Sequence, residues 1–171
     1  MIKRIIFVGL SLLIYGIALS LPCLLFNIVP SENGLGTQAQ VPTGNLNAYG
    51  RPDNVYEMTG IELTIAGLVG LIFFLIPAIG WLANPAYWAS CIFFVRQQYN
   101  FATISSLIAI IVGWAGTVSA FWFRLPNGSS PFTQLALNKL LTGFWLWLAA
   151  PGFIAFISII KLINRLLVKG E

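Results

Sequence analysis

The sequence contains no histidine, only two cysteines and few charged side chains, and each shortage excludes a kind of function. Without histidine the chain lacks the commonest general base and the commonest metal ligand. Cys23 and Cys91 are too few to hold a metal cluster. Charged residues form 8% of the sequence, whereas soluble domains carry about a quarter. The composition therefore excludes a soluble enzyme, and we expect no cofactor and no metal site.

Apolar side chains make up 58% of the 171 residues, so the lipid bilayer is the expected surrounding of most of the chain. Nine Lys and Arg side chains outnumber five Asp and Glu, which gives a net charge of +4. These cations are scattered beside apolar segments, and nowhere do three adjoin. A nucleic-acid-binding surface requires clustered basic residues, so we expect no nucleic-acid partner.

The pattern predicts an all-α fold, an integral membrane bundle of four transmembrane helices in a single domain. About 20 apolar residues cross a hydrocarbon layer of about 30 Å. The polar segment 27–59 contains three prolines and many turn-forming residues, which predicts an extracytoplasmic surface loop. The predicted spans are residues 5–26, 61–83 with an extension over 85–97, 101–123 and 140–162.

The uncharged segment 63–95 is too long for one span and short for two. Pro77 and Pro85 interrupt it, and we expect the second helix to be broken near Asn84 and Pro85. One crossing places six of the nine Lys and Arg on the side of the N-terminus, and two crossings place four there. Because cytoplasmic loops collect Lys and Arg, we favour four spans with both termini cytoplasmic. Five spans remain open, since the extension is apolar enough to enter lipid.

The first span also resembles a signal peptide. Lys3 and Arg4 precede its apolar run, and residues 18–20 have the small-x-small pattern of a cleavage site. The apolar run continues beyond this site, and Pro22 follows it directly. We therefore expect an uncleaved membrane anchor, with cleavage as the alternative.

Small residues recur along every predicted span. Lipid tails are as apolar as leucine side chains, so helices in lipid associate through close backbone approach. The same small faces would suit contact with a partner protein equally well. The positions expected to pack against neighbouring helices are Gly16, Ser20, Gly67, Gly70, Gly113 and Gly116.

Four polar or aromatic residues are candidates for contact with a ligand or partner. Glu62 lies about one turn inside the second span, where an acid favours the helix dipole or, alternatively, meets a ligand. Asn84 caps the helix after the break or lines an ion or substrate cavity. Trp145 and Trp147 begin the last span, where an interfacial anchor is the ordinary role. Serine and cysteine nucleophiles have no base beside them, so we expect no enzyme activity.

Three motifs in order carry a resemblance to a known group of proteins. The chain has Gly-Ile-Glu-Leu at 60–63, Trp-Leu-Ala-Asn-Pro at 81–85 and Leu-Trp-Leu-Ala-Ala at 146–150. This order resembles small, functionally uncharacterised bacterial inner-membrane proteins that share the Trp-Leu-Ala-Asn-Pro motif after the second span. Their last motif ends in Ser, where this chain has Ala150, and an aromatic residue stands where it has Ile61. The resemblance implies residence in the bacterial inner membrane and no activity.

Two functions are consistent with these features. We favour a non-catalytic multi-pass protein that binds another membrane protein as an accessory or assembly subunit. A sharper version is an immunity protein that blocks a pore-forming toxin within the bilayer. The alternative is a small transporter or channel component that uses Glu62 and Asn84 around the helix break.

Overall fold

The computed structural model describes residues 2–30, 54–130 and 132–169, which form a mainly helical fold with a small antiparallel sheet. The helices are α1 (Ile2–Ser20), α2 (Gly60–Ile72), a 3-10 helix (Ile76–Leu82), α3 (Ala83–Val95), α4 (Tyr99–Ser119) and α5 (Thr142–Lys169). The strands are β1 (Pro22–Pro30), β2 (Val55–Thr59), β3 (Leu125–Pro126) and β4 (Thr133–Leu140).

Among the described residues, four helical segments are long and apolar enough to cross a membrane. They are Ile2–Ser20, Ile76–Val95, Tyr99–Ser119 and Thr142–Leu167. The second of them differs from the predicted span 61–83. Helix α2 has 13 residues and is about 20 Å long, short of the roughly 30 Å hydrocarbon core. The 3-10 helix and α3 together supply the second long segment.

The helix break expected near Asn84 and Pro85 is wrong, because the chain reverses about ten residues earlier. Phe74 adopts a left-handed backbone conformation with φ 54° at the end of α2. Leu75 is extended, and Pro77 lies in the first turn of the 3-10 helix, where a proline is well tolerated. Pro85 instead lies in the first turn of α3, where a missing N–H costs nothing. The 3-10 helix therefore runs directly into α3 and folds back against α2.

The expectation of an all-α fold is confirmed only in part. The described residues are mostly helical, but four strands form a sheet in the order β2-β1-β4-β3, so the fold is not purely α. The first helix ends at Ser20, so the predicted end of span one is strand β1. Parts of the predicted loop 27–59 are strands, and its middle, residues 31–53, lies outside the described residues. One face of the sheet buries Leu24, Phe26, Met58, Leu135 and Leu137 against Ala120 and Phe144.

The strands lie at one end of the helices and the chain termini at the other. Strands β1 and β3 follow the ends of α1 and α4, and β2 and β4 precede α2 and α5. At the opposite end Arg4 donates a hydrogen bond to the Val95 carbonyl at 2.9 Å. Arg165 donates to the Gln97 carbonyl at 3.2 Å and lies 4.4 Å from the centre of the Tyr99 ring. We call these the sheet end and the terminal end.

The 3-10 helix and α4 touch backbone to backbone. A Cβ atom added at Gly116 would overlap the backbone of Gly80, and one added at Gly80 would lie 3.2 Å from the Thr117 nitrogen. Both glycines are buried. This contact fixes the distance between the second and third long helical segments, because no side chain fits between them.

Replacing Gly116 by alanine should destabilise the protein by about 1–3 kcal/mol, the usual cost of an overpacked core. Gly152, also in a helix, is the matched control because nothing lies within 4 Å of an added Cβ. Gly152→Ala should gain up to about 1 kcal/mol from helix propensity. Thermal unfolding of the detergent-solubilised protein measures both. Equal midpoints for Gly116→Ala and wild type would contradict the backbone contact.

Candidate functional site

A cavity of about 80 Å³ lies where α2 and the 3-10 helix meet the sheet and the ends of α1, α4 and α5. None of the described residues that line it carries a charge. Most of its wall is apolar, and the polar contributions come from Thr64, Trp81, Asn84, Thr117 and Trp147. The cavity is therefore an apolar chamber with a few hydrogen-bonding groups, which is the usual make-up of a small-molecule site.

Asn84 is buried, with 3% of its surface exposed, and it joins three helices. Its Oδ1 accepts hydrogen bonds from the Tyr15 hydroxyl and the Trp147 Nε1, each at 3.0 Å. An indole N–H can only donate, so the atom that faces it is the amide oxygen. The amide NH₂ of this cavity-lining residue therefore points away from both partners. The capping role expected for Asn84 is wrong, since α3 begins after Leu82 with no side-chain cap.

A second polar contact lies one turn further along the same helices. The Ser11 hydroxyl is 2.8 Å from the Tyr87 hydroxyl and donates to the Ala150 carbonyl at 2.9 Å. The Tyr15 and Tyr87 rings stack with centroids 5.2 Å apart. Ser11 is fully buried, as polar groups within a bundle are when they have partners. Together the two contacts tie α1, α3 and α5 through hydrogen bonds.

Trp81 is the unusual member of the cavity wall. Its Nε1 is shut off from solvent and has no hydrogen-bond partner among the described residues. An unpaired buried donor costs about 1–3 kcal/mol, so such groups are rare in native structures. Its ring packs on α2, where a Cβ added at Gly67 would lie 3.0 Å from the indole.

Cys23 contributes a neutral thiol to the same wall. Burial raises the pKa of this thiol to about 11. The thiolate form is therefore scarce at neutral pH, and Cys23 behaves as a small apolar side chain.

Glu62 does not line the cavity and has a structural role at the start of α2. Its Oε2 accepts from the Thr59 backbone N–H at 2.8 Å and from the Thr59 hydroxyl at 2.9 Å. The Thr59 hydroxyl accepts from the Glu62 N–H in return, which completes a capping box. Burial raises the pKa of the nearby Tyr56, and the charge of Glu62 adds to this. The helix-start role is confirmed, and the predicted pair of Glu62 and Asn84 is not brought together in the cavity.

The remaining predicted contact and packing residues divide into buried and exposed groups. Trp147 is partly buried and binds Asn84, whereas Trp145 is 54% exposed. A Cβ atom added at Gly70 would lie 2.8 Å from the Ala78 Cβ, and one added at Gly113 would lie 2.8 Å from the Trp147 ring. With Gly67 and Gly116, these glycines lie at close helix contacts. Gly16 has nothing within 4 Å and Ser20 is exposed, so neither packs against another described helix.

Sequence reasoning missed Ser11, Tyr15 and Trp81 as members of this region. Ser11 and Tyr15 are four residues apart, so they share one face of α1. Two hydroxyls on one face of an apolar helix are a signal for interhelical hydrogen bonds. Trp81 had no comparable signal, because an interfacial anchor and a buried ring look alike in sequence.

Replacing Asn84 by leucine should destabilise the protein, because the Tyr15 hydroxyl and the Trp147 indole would both lose their acceptor. Each buried donor left without a partner costs about 1–3 kcal/mol. Tyr15→Phe is the matched change, since it removes one of the donors. It should cost stability in the wild-type chain and cost less, or nothing, in the Asn84→Leu chain. A double-mutant cycle by thermal unfolding in detergent measures this coupling, and additive effects would contradict the hydrogen bond.

Comparison with known proteins adds no relative to this picture. No protein-family model, no curated protein and no solved structure matches the chain. Its function is therefore argued from its own residues.

Proposed function

We propose that the protein is a non-catalytic multi-pass protein of the bacterial inner membrane that binds another membrane protein, as an accessory or assembly subunit. The observation that carries this proposal is the outer face of α1, which we define as Gly9, Leu13, Gly16 and Ser20. A Cβ added at either glycine would meet no atom of the described residues within 4 Å, and Leu13 is 60% exposed. The spacings of four, three and four residues place all four positions on one side of the helix.

The opposite face of α1 is fully occupied by the bundle. Ser11, Tyr15 and Ala18 are buried there. Small residues let a second helix approach closely in lipid, where no hydrophobic force favours association. An unpacked small-residue face on a helix whose other face is engaged therefore suits a helix from a partner. A helix of a pore-forming toxin would fit the same face, which is the immunity version of the proposal.

The orientation that we propose places the terminal end in the cytoplasm. Arg4, Arg96 and Arg165 lie at or beside that end, and Lys3 is exposed close to it. Short cytoplasmic segments are enriched in Lys and Arg, which supports this side. The sheet would then lie on the extracytoplasmic face.

The transporter alternative receives less support. It requires Glu62 and Asn84 around one helix break, but only Asn84 borders the cavity. Glu62 is exposed and engaged in the capping box. The break itself lies at Phe74, away from both residues. Partner binding therefore remains the better account.

Photo-crosslinking within the membrane tests the outer face of α1. A benzophenone amino acid at Leu13 should give an adduct with another protein in membranes of the source cell. The same group at Ile108, which is 47% exposed on α4, is the matched control and should give none. Gly16→Ile should reduce the adduct at position 13, because a branched side chain keeps the partner helix away.

Three results would contradict the proposal. They are no protein adduct at position 13, an equal adduct at position 108, and an adduct with twice the mass of the chain. The last result would mean that the face joins two copies of this protein.

A further inference from the structure

We propose that the cavity beside α2 binds a hydrocarbon chain that carries a neutral hydrogen-bond acceptor, such as an ester or quinone carbonyl. The cavity and the outer face of α1 are separate surfaces, so this inference holds or fails independently of the proposed partner.

The size and lining of the cavity favour an apolar occupant over water. A volume of about 80 Å³ is enough for roughly five to eight waters at 10–15 Å³ each. Each buried water needs two to four polar partners, whereas this wall is mostly aliphatic and aromatic carbon. Apolar cavities in proteins stay dry and take up hydrocarbon. A chain of methylene groups fits this wall better than a water cluster does.

The polar groups in the wall specify an acceptor on that chain. Trp81 Nε1 is buried without a partner in the part of the chain that the structure describes, and an indole N–H can only donate. Asn84 borders the same cavity, and its NH₂ points away from Tyr15 and Trp147. Trp81 and Asn84 both line this chamber. A ligand carbonyl oxygen, which accepts two hydrogen bonds, would give the buried indole N–H the partner that it lacks.

The absence of charge in the lining argues for a neutral ligand. None of the described lining residues is Lys, Arg, Asp or Glu, and the Cys23 thiol is neutral. A buried ion without an opposite charge is strongly disfavoured. A fatty-acid carboxylate or a phosphate group would therefore lie outside the cavity, and only the neutral part of a lipid would enter.

The position of the cavity indicates a source in the bilayer. Helix α2 forms one wall, and its outward side chains Ile61, Ile65 and Leu68 are about half or more exposed. Exposed apolar side chains on a short helix next to membrane spans face lipid rather than water. The neighbouring medium therefore already contains chains that bear carbonyl groups.

Indole nuclear magnetic resonance of the full chain tests this inference directly. The protein is labelled with ¹⁵N-tryptophan in detergent, and the Trp81 signal is assigned through Trp81→Phe. Methyl decanoate should produce a saturable downfield shift of the Trp81 indole proton. Decane should bind without that shift, and decanoate, which is charged, should bind weakly. Trp122, which is 74% exposed, supplies the internal reference and should not respond saturably.

Two variants separate the apolar and polar parts of the site. Ala120→Leu fills the cavity and should abolish binding of both neutral probes, with the Trp147 indole as the reporter. Trp81→Phe should weaken methyl decanoate about tenfold, the loss of one hydrogen bond of about 1.4 kcal/mol, and leave decane unaffected. The second variant keeps the test decisive should Ala120→Leu fail to fold.

The outcomes are distinguishable. Native mass spectrometry of the protein from its own membrane should show a bound neutral lipid mass, and that mass separates an acyl lipid from a quinone. A Trp81 signal that exchanges with water and ignores methyl decanoate would overturn the inference in favour of a hydrated cavity. Equal affinity of Trp81→Phe and wild type for methyl decanoate would overturn the role of the indole.

Discussion

The structure depends on one constraint, that a polar group removed from water must find its partner within the protein. Away from water an unpaired polar group costs several kcal/mol, so most buried polar groups in proteins have a partner. Asn84 illustrates the constraint, since its oxygen receives both Tyr15 and Trp147. Among the described residues the Trp81 Nε1 and the hydroxyls of Ser106 and Ser158 are buried without a partner. Of these three residues, Trp81 lines the cavity.

Close backbone contact is the second requirement, because lipid gives helices no hydrophobic reason to associate. Gly80 and Gly116 allow the backbones of the 3-10 helix and α4 to touch, and Gly67 leaves room for the Trp81 ring to pack on α2. These contacts position α2 as a wall beside the bundle, and the cavity is the space left between them. The outer face of α1 has the same small residues and no neighbour among the described residues, which supports it as the place for a partner.

The sequence predicted the number of long apolar helices and the packing of four glycines, because both follow from local composition. The arrangement of these helices in the fold was harder to predict from the sequence. Pro77 was identified in the sequence as a helix breaker. The turn at Phe74, however, depends on the packing of α2 against the 3-10 helix, and this contact forms only in the folded chain. From the sequence we predicted strand β1 as the end of an apolar span, since Leu24, Leu25 and Phe26 are apolar. Its two partner strands, β2 and β4, are both distant in sequence, and β4 lies more than a hundred residues away.

A local signal for the sheet was nevertheless present in β4. Leu135 and Leu137 are apolar and lie between the polar residues Gln134 and Asn138, a spacing of two that is typical of a half-buried strand. In the structure Leu135 and Leu137 are buried. In the candidate site, too, some features follow from local sequence and others arise only from tertiary packing. The capping role of Glu62 follows from its place near a helix start, whereas the meeting of Asn84, Trp81 and Trp147 is a product of tertiary packing.

The central claim is that the helices cross a membrane with the sheet on one side and both termini on the other. Cysteine accessibility in cells with a permeabilised outer membrane tests it most directly, since Cys23 and Cys91 are buried. An impermeant maleimide should modify Asn138→Cys in the sheet, and it should modify Asn164→Cys near the C-terminus only after lysis. Modification of both positions before lysis, or of both only after it, would contradict the account.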